Sequence, residues 1–535
     1  MKTKFLAIAT AAVITVNASA QWPTFHGNAQ RDGRTTAVGP ASASILWSFD
    51  MNGPMINSPV IGPDGTIYTG SVWDEDPQPS AYIYAVNPNG TLKWRFETGF
   101  YDDQSPASPA VGPEGNVYVG TATNVFYALN SNGQEIWRYT ALDQIVTHPV
   151  IAPNGTVYAK LDGFLIAFSP TGQIQWQFPI GSNTPGSPTL GTDGTIYVPG
   201  SGGLYAVNPN GTQRWRFDGP DSFSSPAIAP NGRIIYASGG LYAISPTGGM
   251  LWQQFSSGIA PYSAPTIDAD GNIYIIEDWE LRKHSPTGQV LWTQEFTYDV
   301  NRLEQSWNAP ILDAAGRLYF ALGTGKRYAL DSAKGLVCYN TNGQKLYNLL
   351  LPETPSTSSP AMAPDGTIYI GCLDGKLYAI GQPWLVTNPT NLSVQPGITV
   401  GGGLPQLLQS DDQYLETRPG VVFTTSQKPI VITLDANIGT AAVTTMQVVV
   451  ESRSTSPNIR QWIEAWNYTT SSWVELDARA TSVTDTRTTV PVPTPAQFMN
   501  GANKSVRLRV SYKAEGPVFS YPWTVRVDQA VWNTR

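Results

Sequence analysis

Between residues 58 and 381 the chain repeats one hydrophobic rhythm. A short apolar run reaches a Pro-Asp-Gly or Pro-Asn-Gly step, a β-branched and aromatic run follows, and after a link come a third apolar run, an Asn-Gly or Thr-Gly step and a tryptophan-bearing run. The units open as SPVIGPDGTIYTG (58–70), SPAVGPEGNVYVG (108–120), HPVIAPNGTVYAK (148–160), SPTLGTDGTIYVPG (187–200), SPAIAPNGRIIYASG (225–239), APTIDADGNIYII (264–276), APILDAAGRLYFA (309–321) and SPAMAPDGTIYIG (359–371). Each run has strand length and each reversal carries residues that tolerate positive φ, so every unit predicts a four-stranded antiparallel meander. Such a sheet cannot cover both of its faces alone, and four-stranded repeats of about forty residues stack as propeller blades.

The eight openings are followed by only seven second halves of the type IYAVNPNGTLKWRF, because after Gly381 the sequence turns into the proline-broken QPWLVTNPTNLSVQPG. The segment ILWSFDM (45–51) has the register of a fourth strand with no third strand before it. It is expected to complete the eighth unit, which closes the ring and removes two exposed sheet edges. The predicted fold class is all-β: an eight-bladed β-propeller closed by the N-terminal strand, then a jelly-roll-like β-sandwich. Trp47, Trp94, Trp137, Trp176, Trp215, Trp252 and Trp292, with Tyr347 as the eighth, fall at one equivalent position and read as structural docking residues. Burial of each is worth about 4–6 kcal/mol before entropy is discounted. The third strands place a small residue in register with them (Ala85, Ala128, Ala167, Ala206, Ala243, Ala379, and Cys338 in the seventh unit), leaving room for packing across a seam.

From about residue 386 the repeat stops. The runs VVFTT, IVITLDA, TMQVVVESRS, RQWIEAWNY, SWVELDARA, SVRLRVSYKA and WTVRVDQAVW predict strands of a sandwich. The expected organisation is a signal peptide at 1–20, a leader at 21–44, the propeller at 45–383, a linker at 384–396 and the sandwich at 397–535.

Composition narrows the function. Lys2 and Lys4, an apolar run and Ala18-Ser19-Ala20 have the order of a cleaved secretory signal, so a secreted, extracellular or periplasmic location is expected. No later run is long enough for a membrane helix. With 32 basic against 40 acidic residues the chain is acidic, and losing Lys2 and Lys4 makes it more so, which excludes a nucleic-acid partner. Two cysteines, Cys338 and Cys372, are too few for a disulfide scaffold, and the reading favours two separately buried thiols over one bridge.

The pattern YAVNPNGTLKW resembles the tryptophan-docking repeat of the PQQ-like β-propellers, which include quinoprotein alcohol dehydrogenases and a periplasmic propeller of outer-membrane assembly. WPTFHGNAQRDGRT (22–35) is similar to the leader that precedes such propellers. The resemblance covers 22–381. It implies, for the family's enzymes, PQQ held against a disulfide of adjacent cysteines, with calcium bound nearby by Glu, Asn and Asp. Cys338 and Cys372 lie a repeat apart, so that hallmark is missing and neither PQQ nor calcium is expected.

Other candidate chemistry is sparse. Asp268 and Asp270 in IDADGNIY suggest a calcium loop, but sister repeats carry a hairpin turn there. Sequons such as that at Asn89 coincide with the same Asn-Gly turns. His26, His148 and His284 come from separate segments without metal spacing. GGGLP (401–405) lacks the remainder of a phosphate loop. In the tail, Trp462, Trp466 and Tyr468 form a sugar platform or fill a core, the latter preferred, while Asp411, Asp412, Glu416 and Arg418 hold calcium or form an Arg–carboxylate network. The long insertions all fall on second-to-third links or between units, which share one end of a meander ring. They offer Trp73, Asp74, Glu75, Asp76, Tyr101, Asp102, Asp103, Tyr298, Arg302, Trp307, Arg327 and Tyr328 as binding residues for a protein or glycan. The expected function is a non-enzymatic binding or scaffold protein using that loop-rich face. The competing reading is a PQQ-dependent dehydrogenase or other carbohydrate-active enzyme at the propeller mouth. No residue is assigned a catalytic role.

Overall fold

The computed structural model describes residues 22–535 except 52, 54–56, 74–79, 100–106, 144, 146, 182–184, 256–262, 278–279, 296–307, 323–334, 354, 356–357, 409, 411, 440–442, 444 and 516–522. The chain divides into two compact units, Met1–Gln382 and Pro383–Arg535.

The described residues of the first unit form eight four-stranded antiparallel sheets that resemble propeller blades. Seven are consecutive meanders, the first made of Val60–Ile61, Ile67–Trp73, Ser80–Val86 and Leu92–Gly99. The eighth takes three strands from one end of the repeats, Ala361–Met362, Ile368–Gly371 and Lys376–Gly381, and its fourth, Ser44–Asp50, from the other. Ser44 pairs with Gly381, Trp47 with Ala379 and Asp50 with Lys376. The edge strand Val60–Ile61 lies beside Ala110–Val111 on one side and Ala361–Met362 on the other, so the first and last sheets are neighbours.

Local chemistry explains the regularity. The turns between first and second strands need positive φ, as at Gly65 (φ 80°), where a side chain would be strained. In all eight sheets a bulge falls at the same step of the third-to-fourth ladder, next to the pair formed by the docking aromatic and its partner, such as Trp94 with Ala85 or Tyr347 with Cys338. The bulge adds local twist and re-aims the aromatic ring.

The second unit has two antiparallel sheets. One contains Ile398–Gly401, Leu415–Arg418, Val525–Thr534, Met446–Ser454 and Thr486–Pro491, with Leu385–Thr387 paired to Val525–Thr534. The other contains Asn391–Val394, Ile430–Asn437, Ser505–Ala514, Ile459–Asn467 and Ser472–Ala480. Both feed one core through alternate positions such as Ile432, Val448, Ile463, Leu508 and Val527.

Two expectations are corrected here. Residues 384–396 are not a free linker, since Leu385–Thr387 and Asn391–Val394 are strands of the second unit; Pro389 and Pro396 interrupt the run without removing the intervening N–H donors. The run VVFTT is not a strand either: residues 421–423 lie in an exposed connection, where no buried face rewards their β-propensity.

Candidate functional site

Of the loop residues expected to bind a partner, Asp74, Glu75, Asp76, Tyr101, Asp102, Asp103, Tyr298, Arg302, Trp307, Arg327 and Tyr328 lie outside the described residues. Trp73 ends the strand Ile67–Trp73, and its side chain also lies outside them.

The leader supplies the site that sequence reasoning left without a role. The first strand of each sheet is an edge whose outward N–H groups need acceptors. Residues 22–33 provide them in order. Ile61 N donates to Trp22 O at 2.8 Å, Val111 N to Pro23 O at 2.7 Å, Leu190 N to Ala29 O at 2.8 Å, Ile228 N to Gln30 O at 3.0 Å, Ile267 N to Asp32 O at 2.9 Å and Leu312 N to Gly33 O at 2.8 Å. One short segment, folded back by turns at Thr24–Gly27 and Asn28–Arg31, thus reaches the inner edges of six sheets. The Thr24 hydroxyl donates to Pro149 O and ties in a seventh.

The leader's motif residues build this plug. Arg31 is fully buried and donates to the carbonyls of Phe25, His148, Pro149 and Pro188, with burial pulling its pKa down to about 9. His26 Nδ1 lies 2.7 Å from Arg31 O, and its Nε2 lies 2.9 Å from Pro310 O. Gly33 has φ 69° and no room for a Cβ, which would stand 2.4 Å from His26 Nε2. Asp32 accepts from Arg34 at 2.6 Å and from Asn28 at 2.8 Å.

Next to the leader runs a belt of side chains from the first residue of each unit. Ser58 N donates to Ser108 Oγ, Ser108 N to His148 Nδ1, His148 N to Ser187 Oγ and Ser187 N to Ser225 Oγ, at 2.9–3.2 Å. Ala309 N donates to Ser359 Oγ at 2.7 Å, and Ser359 N to Ser58 Oγ at 2.8 Å, which joins the last unit to the first. Ala264 and Ala309 have no side-chain acceptor, so two links are missing. His148 therefore serves as an acceptor in a serine position; burial, then the Arg31 charge, pulls its pKa down to about 3. At the same end, buried Lys160 donates to Gly186 O at 3.4 Å, and burial lowers its pKa to about 7. Asn308 is buried there too, and its amide atoms have no hydrogen-bond partner among the described residues.

Between sheets, each docking tryptophan reaches the third-to-fourth turn of the next sheet. The indole N–H of Trp47 donates to Pro88 O, Trp94 to Ser131 O, Trp137 to Pro170 O, Trp176 to Pro209 O, Trp215 to Pro246 O, Trp252 to Pro286 O and Trp292 to Thr341 O, at 2.8–3.1 Å. The rings lie against the glycine of that turn; a Cβ on Gly211 would stand 2.7 Å from Trp176. These indoles are half-buried, so the full-burial figure of about 4–6 kcal/mol overstates each of them. The eighth sheet has no such turn, because its third and fourth strands come from opposite ends of the repeats. Tyr347 faces that gap, and its hydroxyl donates instead to Pro40 O of the leader at 2.9 Å.

Asp268 behaves as a turn residue: its carboxylate accepts from the backbone N–H of Asp270 and Asn272, from the Asn272 amide and from the Tyr274 hydroxyl. His284 is buried on its strand, where desolvation lowers its pKa. Cys338 and Cys372 form no disulfide and are buried in one core cluster, and burial pushes the Cys338 thiol up to about 12. The paired-cysteine set that PQQ binding implies in the enzymes is therefore not matched, and no step is routed through that group. Glu416 lies 3.3 Å from Arg526, and Asp412 accepts from Tyr414, an Arg–carboxylate and tyrosine network; Asp411 lies outside the described residues, and Arg418 is exposed. No group of three or more His, Cys, Asp or Glu stands together to hold a metal among the described residues.

Trp462 and Trp466 do not fill the core. They occupy the sheet face opposite to Ile459, Ile463 and Ala465, with Trp473 beside Trp466. Cations cover the rings: Lys428 Nζ lies 4.5 Å from the Trp462 centroid, and the Arg509 guanidinium 4.4 Å from that of Trp473. Glu464 between them accepts from Arg509 and Lys428, which hold its carboxyl below the usual range against the opposing effect of burial. The Tyr468 hydroxyl hydrogen-bonds Ser505.

Comparison with known proteins agrees with this architecture. Residues 79–218 match the family profile described as outer membrane protein assembly factor BamB. Among solved structures, quinohemoprotein alcohol dehydrogenase from Comamonas testosteroni is similar at 15% identity over 72% of this chain and 85% of that one, with a TM-score of 0.52. The C-terminal WD40 domain of Sif2 is similar at 12% identity over 64% and 98%, with a TM-score of 0.50. BamB from Moraxella catarrhalis aligns at 14% identity over 64% and 98%, with a TM-score of 0.48. A search of curated proteins found no match. At these identities the likenesses to the dehydrogenase and to Sif2 speak for fold alone. The profile match identifies residues 79–218 as PQQ-like β-propeller repeats, and the docking register seen there is carried through every sheet of the repetitive region.

Proposed function

We propose that the chain is a secreted scaffold: an eight-bladed propeller closed by its N-terminal strand, followed by a jelly-roll-like β-sandwich, that binds a protein or glycan partner without catalysing a reaction. The observation that carries this reading is the leader. Its backbone and the Arg31 side chain spend the inner edges of the sheets on internal hydrogen bonds, along the axis where a propeller enzyme would place its reactants. What is left to vary is the set of links at the belt end, where the insertions 71–82, 97–107, 296–308, 322–335 and 351–358 fall. The matched family profile, named for an assembly factor, favours a protein over a glycan as the occupant of that face.

Replacing residues 74–79, 100–106 and 298–307 by short Gly-Ser links tests the proposal, with partner capture and a glycan array as readouts. Partner binding is expected to vanish while the melting temperature stays. Stoichiometric uptake of PQQ with calcium, accompanied by dye-linked alcohol oxidation, would overturn the scaffold reading in favour of the dehydrogenase.

A further inference from the structure

The second unit presents three consecutive apolar side chains to solvent. Val421, Val422 and Phe423 are 77%, 36% and 88% exposed, in the connection between Leu415–Arg418 and Ile430–Asn437. The connection is nevertheless held in one shape. Gln427 Oε1 accepts from the backbone N–H of Phe423 at 2.7 Å and of Thr424 at 3.2 Å, and Gln427 N donates to Thr424 O at 3.2 Å. Gly420 N donates to Pro429 O at 2.8 Å, and Lys513 Nζ donates to Thr425 O. Polar side chains at 421–423 would fold as well and would avoid an exposed apolar cluster, so folding does not account for these three.

Cations sit one step behind this apex. Arg418 and Lys428 flank it in sequence, Lys513 grips its far side, and no Asp or Glu occurs between Arg418 and Asp435. The carboxylate nearest to Lys428, that of Glu464, is shared with Arg509, which leaves positive charge in excess here on a chain whose formal net charge is −8.

We propose that the tip Val421–Val422–Phe423 inserts into an anionic lipid surface, with Arg418, Lys428 and Lys513 at the level of the headgroups. A convex apolar apex with cationic shoulders matches the layering of a membrane interface, hydrocarbon beneath negative charge. The apex is smaller than one acyl chain, so binding is reversible and needs both the apolar and the charged contributions. The second unit then holds the scaffold at a membrane without spanning it; no helix of the described residues is long and apolar enough to cross one.

The test is co-sedimentation of the full chain with phosphatidylcholine vesicles, with and without phosphatidylglycerol. Binding is expected only with the anionic lipid, to weaken as salt rises, and to fall about tenfold or more in the triple variant Val421→Ser, Val422→Ser, Phe423→Ser, whose melting temperature should be unchanged. A polarity-sensitive dye on Phe423→Cys, selective because Cys338 and Cys372 are buried, is expected to shift to the blue on vesicles. Failure to sediment with either vesicle, equal binding by the triple variant, or an unshifted dye each overturns the proposal; a tip that instead fills a pocket on a soluble protein gives the first of these results.

Discussion

Tryptophan does two different jobs in the two units. In the repeats each indole is fixed by direction: its N–H enters a carbonyl of the next sheet and its ring lies on a glycine that leaves the space. On the five-stranded sheet of the second unit, Trp462, Trp466 and Trp473 are fixed by lamination beneath Lys428, Arg507 and Arg509. A seam between separate sheets requires an interaction that specifies where the neighbour sits, whereas residues already placed by one sheet need only be covered. The first arrangement should be intolerant of change and the second forgiving.

Gly211→Val attacks the seam from the turn side. Its Cβ would stand 2.7 Å from the Trp176 ring at a φ of 84°, so a loss of about 3 kcal/mol or more is expected in urea unfolding. Trp176→Ala opens the same seam from the other side and should cost about 2–4 kcal/mol, below the range for a wholly buried tryptophan because this one is half-buried. Trp473→Ala, by contrast, removes a cation–π contact while Arg509 keeps Glu464, and about 1 kcal/mol is expected. Equal losses for Trp176→Ala and Trp473→Ala would break the comparison. Tyr347→Phe removes only the hydroxyl that reaches Pro40 and should cost about 1 kcal/mol, with the ring retained.

The smallest effect at neutral pH belongs to His148→Ser, which restores the usual belt acceptor. Wild-type His148 has a folded pKa of about 3 against an ordinary 6.5, so the unfolded chain binds the proton first. Its contribution to stability is complete above pH 6.5 and is lost as pH falls toward 3. The variant should match wild type at about pH 7 and lose less stability on acidification, as read from melting temperatures across that range.

The periodic part of this architecture was legible because each repeat writes its turns in glycine and its seams in tryptophan. The absence of a fourth strand after Gly381 and the surplus strand at Trp47 suffice to pair the two. The leader was recognisable as a motif but not as a plug, since its six bonds to the sheet edges come from backbone carbonyls, which carry no side-chain signature, and the acceptors of Arg31 outside the leader lie more than a hundred residues away. A signal for the belt was present in the Ser-Pro and His-Pro openings of the units, where Ser58, Ser108, His148, Ser187, Ser225 and Ser359 recur one residue before proline; recurrence alone does not say that each side chain accepts from the unit before it. Trp462 and Trp466 were misplaced because alternation gives which residues share a face but not which face is covered. The covering cations, Lys428 and Arg509, come from distant segments.

Closure by Ser44–Asp50 has a consequence for how the molecule is made. Among the strands of the repeats, Ser44–Asp50 waits longest for its partner, because Lys376–Gly381 is synthesised more than three hundred residues later. Until then one edge at each end of the array stays open, so the repeats cannot mature one by one as a linear stack does. Deleting a single repeat therefore does not simply shorten the array; it changes the angle through which the remaining sheets must turn before the two ends can meet.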